Sequence, residues 1–240
     1  MKSDNKTEKI RVLEKKIKVE FKDFDIFRSA FVHRSYLNEN SKFELDNNER
    51  LEFLGDAVLE LAATEYLYNA YKEKSEGELT SIRSALVRGN NLSRVGSELN
   101  VEECIYLSSG EKNGSQKARS LIIANCIEAI IGAIYIDSGY SEAKKFIENS
   151  VISRSIKEIM KEKLYIDAKS EFQEKIQERK KITPTYRVLS EEGPDHNKIF
   201  VSAVYIEEKK VAEGSGTSKS RAENQAAKKA LETIDQILAS

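Results

Sequence analysis

Apolar positions recur at intervals of three and four through the first two thirds of the chain. They include Ile10, Leu13 and Ile17; Phe27, Ala30 and Phe31; Leu51, Leu54, Val58 and Leu61; Ile82 and Leu86; and Ile127, Ile130, Ile131 and Ile134. This is the helical period, and no Pro precedes Pro184 to break it. The spacing predicts an all-α segment over residues 7–160, with polar connections at 38–48 and 108–119; the latter, SSGEKNGSQKAR, is the clearest loop. The pattern then changes. A short helix is expected over 168–178, followed by β-branched and aromatic runs at 185–190, 199–206 and 209–214 that read as strands. A Gly-Pro-Asp turn lies within 191–196, and Ser218 to Ile237 reads as one alanine-rich helix. The fold class is all-α plus α+β: a helical domain over 7–160 and a small α-β-β-β-α domain over 167–237.

Composition narrows the function classes. Hydrophobic residues make up 40% of the 240, enough for packed cores, which excludes a disordered chain. Lys and Arg number 39 against 40 Asp and Glu, so any nucleic-acid surface must come from local placement of cations. Cys104 and Cys126 are too few for a disulfide scaffold and read as buried reduced thiols. His33 and His196 have no Cys spacing that would make a zinc site, and neither has the motif of a Ser-His or Cys-His pair. The N-terminus lacks a signal-peptide core and no run approaches the ~18 apolar residues of a membrane span, so a cytoplasmic location without a membrane partner is expected.

The most informative segment is NNERLEFLGDAVLEL, residues 47–61. On a helix Glu49, Glu52 and Asp56 fall within an arc of about 60°. A solvated helix face would interleave Lys or Arg to relieve that repulsion. Gly55 costs about 1 kcal/mol of helix propensity, which suggests close approach of another backbone. A second segment, IIANCIEAIIGAIYID at 122–137, places Asn125 and Glu128 three apart inside an apolar helix. A buried Glu is costly unless paired or coordinated. If the two helices pack face to face, Glu52, Asp56, Asn125 and Glu128 converge on one hard cation. Spacing alone leaves two readings open, a cation site or a solvated acidic face. It favours a plain helix-start acid for Glu76.

NNERLEFLGDAVLEL resembles the signature of bacterial ribonuclease III, usually HNERLEFLGD. DIFRSAFVHRSY (25–36), EGELTSIRSALVRGNNL (76–92) and SLIIANCIEAIIGAIYIDSGY (120–140) are similar to further blocks of that family. The resemblance implies an all-α endonuclease domain that dimerises through the signature helix, with Phe53 at the interface. It implies Mg²⁺, with Mn²⁺ able to substitute, held by Glu52, Asp56, Asn125 and Glu128. Asp56 and Glu128 are the implied catalytic residues, and Glu49 and Glu76 the accessory acids. The implied reaction is hydrolysis of double-stranded RNA to 5′-phosphate and 3′-hydroxyl ends, in processing of rRNA, mRNA and other structured RNA. Two positions depart from the family pattern: Asn47, where His is common, and Asn125, where the family has Asp. Asn125 removes one formal charge, and so a catalytically weakened RNA-binding dimer stands as the alternative.

GSGTSKSRAENQAAKKAL (214–231), with the α-β-β-β-α order and GPDHNKIF (193–200), is similar to a double-stranded RNA-binding domain. The resemblance implies RNA contacts from Gln173, from the 193–196 loop with His196, and from Ser218, Lys219 and Arg221 at a helix start. Ser220 stands where many members have Lys or Arg. Such domains read the shape and 2′-hydroxyls of A-form duplexes.

Overall fold

The computed structural model describes residues 5–161, 168–194 and 198–239. The chain divides into two compact units, residues 1–165 and 166–240. In order, the first contains α1 (Asn5–Ile17), α2 (Phe24–Ser29), α3 (Arg34–Glu39), α4 (Glu49–Ala70), α5 (Glu76–Val87), α6 (Gly89–Leu99), α7 (Ser109–Lys112), α8 (Gln116–Ser138), α9 (Tyr140–Phe146) and α10 (Ser153–Lys161). A π-helical turn, Ile147–Ile152, joins the last two. Its core is helix on helix, and Phe27, Phe31, Leu59, Ile82, Leu86, Ile127 and Ile130 are fully buried in it.

At its centre α4 packs against α8, and glycines set the distance. A Cβ on Gly55 would lie 1.8 Å from the Glu128 carbonyl oxygen, and one on Gly132 would lie 2.2 Å from the Leu51 carbonyl oxygen. Only glycine on both helices allows this approach. The buried face of α4 runs through Gly55, Val58, Leu59, Ala62, Ala63 and Leu67. Leu61, expected on the apolar stripe, is instead 57% exposed. The glycine contact rolls α4 onto α8 by its Gly55 side, which turns Leu61 outward with Phe53 and Tyr68.

One connection also differs from expectation. The 108–119 stretch contains the single turn α7, and α8 begins within it, because Ser108 and Ser115 each accept a backbone N–H three residues on, from Glu111 and Ala118. By length and composition α8 could cross a membrane, but most of it is buried inside this helical core. Cys104 and Cys126 are buried free thiols.

The second unit contains α11 (Ala168–Lys180), β1 (Thr185–Glu192), β2 (Ile199–Ile206), β3 (Lys209–Gly216), α12 (Lys219–Glu232) and α13 (Ile234–Ala239). The strands form an antiparallel sheet in the order β1-β2-β3. Ala222, Ala226, Ala227 and Ala230 make the buried face of α12, and Gly214 lets it lie on β3, since a Cβ there would be 2.2 Å from the Ala226 nitrogen. The expected single C-terminal helix is broken at Thr233, whose hydroxyl bonds back to the Ala230 carbonyl.

Candidate active site

The carboxylate cluster follows from the α4–α8 contact. Glu49 opens α4, with its N–H bonded to the Asn47 side-chain oxygen at 3.1 Å. One turn on, Glu52 and Asp56 flank Gly55, the residue that touches α8 beside Glu128. The same crossing sets the Asn125 side-chain amide beside Glu52, where it favours the ionised carboxylate. A carboxylate only accepts, so the amide N–H is the end of Asn125 that favours it, which leaves the carbonyl oxygen with its lone pairs.

The electrostatics are those of crowded anions. Glu128 is pushed up to about 7, first by burial and then by Asp56 and Glu52. Glu52 is also raised, by burial and by the charges of Glu49 and Asp56, against the opposing Asn125 hydrogen bond. Glu49 has a partner outside the cluster, Arg34, at 3.5 Å. Among the described residues no cation pairs with Glu52, Asp56 or Glu128. Nor, among them, do three His, Cys, Asp or Glu side chains already close around one point. Glu76 is exposed in the first turn of α5 and no interaction joins it to the others; the capping box there is made by Ser75 and Glu78.

This charge crowding has a pH signature. Glu128 has an ordinary value of 4.5 and a folded value of about 7, so the folded chain binds the proton more tightly. Without divalent ions, the contribution of Glu128 to stability is greatest below pH 4.5 and is lost as pH climbs through 7. Melting in chelator from pH 5 to 8 checks this: the temperature should fall, and Glu128→Gln should flatten the decline.

Among the described residues the structure brings together one Ser-His pair that the motifs did not suggest. His33 Nδ1 lies 2.8 Å from Ser35 Oγ. It is a helix cap, because His33 precedes α3 and also accepts the Ser35 N–H, while Ser35 Oγ accepts the Ser108 N–H at 3.2 Å. Asn48, buried, donates to the Ala30 carbonyl at 3.1 Å and ties the start of α4 to α2.

In the second unit Gln173 is exposed on α11. Ser218 caps α12 by accepting the Arg221 N–H, and Arg221 donates to Thr217 Oγ1 at 2.9 Å. Lys219 pairs with Glu191 at 2.9 Å, a partner that sequence spacing could not reveal. His196 lies outside the described residues. Phe53 is 83% exposed on α4, and Leu61 and Tyr68 on the same face are also exposed.

Residues 23–155 match a family model described as ribonuclease-III-like, and residues 168–234 match the double-stranded RNA binding motif. A ribonuclease 3 from Borreliella burgdorferi is 40% identical over 221 residues, covering 92% of this chain and 89% of that protein. One from Leptospira interrogans is 41% identical over 234 residues, covering 98% and 94%. Among solved structures, the nuclease domain of ribonuclease III from Campylobacter jejuni, described for structural flexibility in a region involved in dimer formation, aligns with a TM-score of 0.55. It is 36% identical and covers 60% of this chain and 96% of that one.

Proposed function

Because the chain belongs to the ribonuclease III family, we propose that Glu52, Asp56, Glu128 and Asn125 form the centre at which it cuts RNA. Its activity is metal-dependent endonucleolytic cleavage of double-stranded RNA, and its second unit is a double-stranded RNA-binding domain. The family generally uses Mg²⁺. The observation that carries the site is the Gly55–Gly132 contact, which lays two carboxylates of α4 against Asn125 and Glu128 with no protein cation among the described residues to neutralise them. Such a set of hard oxygen donors fits Mg²⁺, or Mn²⁺ in its place. When bound, the ion supplies Lewis acidity and charge stabilisation for attack of water on a phosphodiester.

The chain's own residues divide the remaining work. Glu52, Asp56 and Glu128 supply negative charge, and the Asn125 amide favours the ionised form of Glu52 while offering a carbonyl oxygen. Side-chain rotations must draw these oxygens together, because they do not enclose a point without an ion. Glu49, tethered to Arg34, borders the centre, and Glu76 is an outlying acid. Residues 7–160 form the nuclease domain and 167–237 the RNA-binding domain. Gln173, Ser218, Lys219 and Arg221, with His196, contact the duplex. The exposed Phe53, Leu61 and Tyr68 face pairs two copies into a homodimer, since an apolar helix face of this kind is costly to leave in water. The cytoplasm is the proposed location.

Asn125→Asp tests the donor set. A carboxylate at 125 would face Glu52 with repulsion in place of a favourable amide, and would attract a dication more strongly in a partly desolvated site. The variant should need roughly three- to tenfold less Mg²⁺ for half-maximal cleavage. It should also melt lower in chelator and gain more from added Mg²⁺ than the wild type. An unchanged or higher Mg²⁺ requirement would remove Asn125 from the ligand set.

A further inference from the structure

Lys219 opens α12, where the reading above puts a phosphate of duplex RNA, yet its ammonium is already held by its own domain. One oxygen of Glu191, near the end of β1, lies 2.9 Å from Lys219 Nζ, and the other lies 3.5 Å from Lys198 Nζ. The two lysines hold the Glu191 carboxyl below the usual carboxylate range, so it is charged at neutral pH. The start of α11 shows the same arrangement, with Lys169 Nζ 2.6 Å from a Glu223 carboxylate oxygen. Residues 167–240 hold 13 basic and 13 acidic residues, so this domain has no surplus of cations with which to attract a polyanion.

We propose that Glu191 is an internal counter-anion that competes with an RNA phosphate for Lys219 and thereby sets how tightly the domain binds duplex RNA. The inference rests on the reading of Lys219 as a phosphate contact. A carboxylate oxygen 2.9 Å from an ammonium sits where a phosphate oxygen would sit. Nζ has three N–H donors and can be shared, but a phosphate brought beside Glu191 meets a like charge. The trio Lys198–Glu191–Lys219 offers RNA one net positive charge in place of two. The side chains of Lys219 and Glu191 are 59% and 36% exposed, so the pair is a weak one that a polyanion can open. One isolated phosphate gains little by opening it. A duplex that engages several contacts at once opens it at small relative cost, so Glu191 favours long duplexes over short or single-stranded RNA.

The test measures binding of the full chain, in chelator so that no strand is cut, to a perfect RNA duplex of about 16 base pairs, the span of one such domain. Dissociation constants are taken across a range of KCl. Glu191→Gln should tighten binding about two- to fivefold at fixed salt and steepen the log–log salt slope by up to about 0.9. Lys219→Ala should weaken binding and flatten the slope, and in that background Glu191→Gln should lose most of its effect. Glu208→Gln removes the same charge from a remote ion pair, with Arg187, and should leave the slope unchanged. The proposal is overturned if Glu191→Gln leaves affinity and slope unaltered or weakens binding. It is equally overturned if Glu208→Gln matches its gain or if the gain persists in full without Lys219. If Lys219→Ala binds RNA as the wild type does, the underlying reading of Lys219 falls, and that result is distinct from the others.

Discussion

Glu128→Gln is expected to lower cleavage of duplex RNA at least about a hundredfold while leaving RNA affinity nearly unchanged. Metal-assisted charge stabilisation supplies several kcal/mol of the barrier reduction, and each 1.4 kcal/mol is worth about tenfold in rate. The substitution keeps shape and removes one of the three charges proposed to draw the ion in. Binding is carried largely by the second domain and should not follow. The same change should raise the melting temperature in chelator at pH 7.5, because it deletes the group whose ionisation is opposed by burial and by Asp56 and Glu52. Activity lost and stability gained together mark a residue retained for chemistry; a purely structural Glu128 would lose both. Single-turnover cleavage, gel-shift titration and calorimetry on one preparation separate these outcomes. If RNA affinity falls as steeply as activity, the division of labour between the domains is wrong.

Gly55→Ala is expected to destabilise the nuclease domain by about 3 kcal/mol or more, because overpacking that must shift backbone exceeds ordinary small-to-large costs. The new Cβ would sit 1.8 Å from the Glu128 carbonyl oxygen, so α4 and α8 must separate. For a domain of this size that is a fall in melting temperature of roughly 6–12 °C. Activity should drop further than stability, since separation of the helices carries Glu52 and Asp56 away from Asn125 and Glu128. Gly77→Ala is the contrast. It lies in α5 with nothing within 4 Å of its Cβ position, and Ala there should be neutral or stabilising by up to about 1 kcal/mol. If Gly55→Ala melts with the wild type, the close helix approach is absent and the site geometry built on it fails.

The parts of this architecture legible in the sequence are those fixed by local periodicity. Ile10, Leu13 and Ile17, Ile82 and Leu86, and Ile127 to Ile134 are buried as their spacing predicts. The strand order of the second domain follows from its alternating runs, and β2 spans Ile199–Ile206 as expected. Gly55 was readable because a glycine inside a strong helix needs a reason, and the reason is the backbone of α8. What was not legible depends on how helices roll and on which charges meet across the chain. Leu61 lies on the predicted stripe yet faces out, since the Gly55–Gly132 contact, not the mean apolar direction, sets the rotation of α4. Gly132 gave the matching signal from α8, an inward glycine in a long apolar helix. Arg34 on Glu49 and Glu191 on Lys219 join residues 15 and 28 positions apart, beyond any helical or strand spacing. The Asn125 amide near Glu52 was hidden for a related reason: the sequence placed Asn125 among oxygen donors, and only the crossing of α4 and α8 sets its amide beside that carboxylate.

Whether this chain cuts duplex RNA at an acidic centre completed by a divalent ion, despite the amide at 125, is decided on the RNA itself. Purified full-length protein is incubated with a long, perfectly paired RNA labelled at its 5′ ends, in Mg²⁺, in Mn²⁺ and in EDTA, and the products are resolved on denaturing gels. Internal cleavage is expected in both metals, none in EDTA, restoration on adding excess Mg²⁺, and product ends bearing 5′-phosphate and 3′-hydroxyl. Duplex RNA that is bound but left whole at every Mg²⁺ and Mn²⁺ concentration, or that is cut equally well in EDTA, would contradict it.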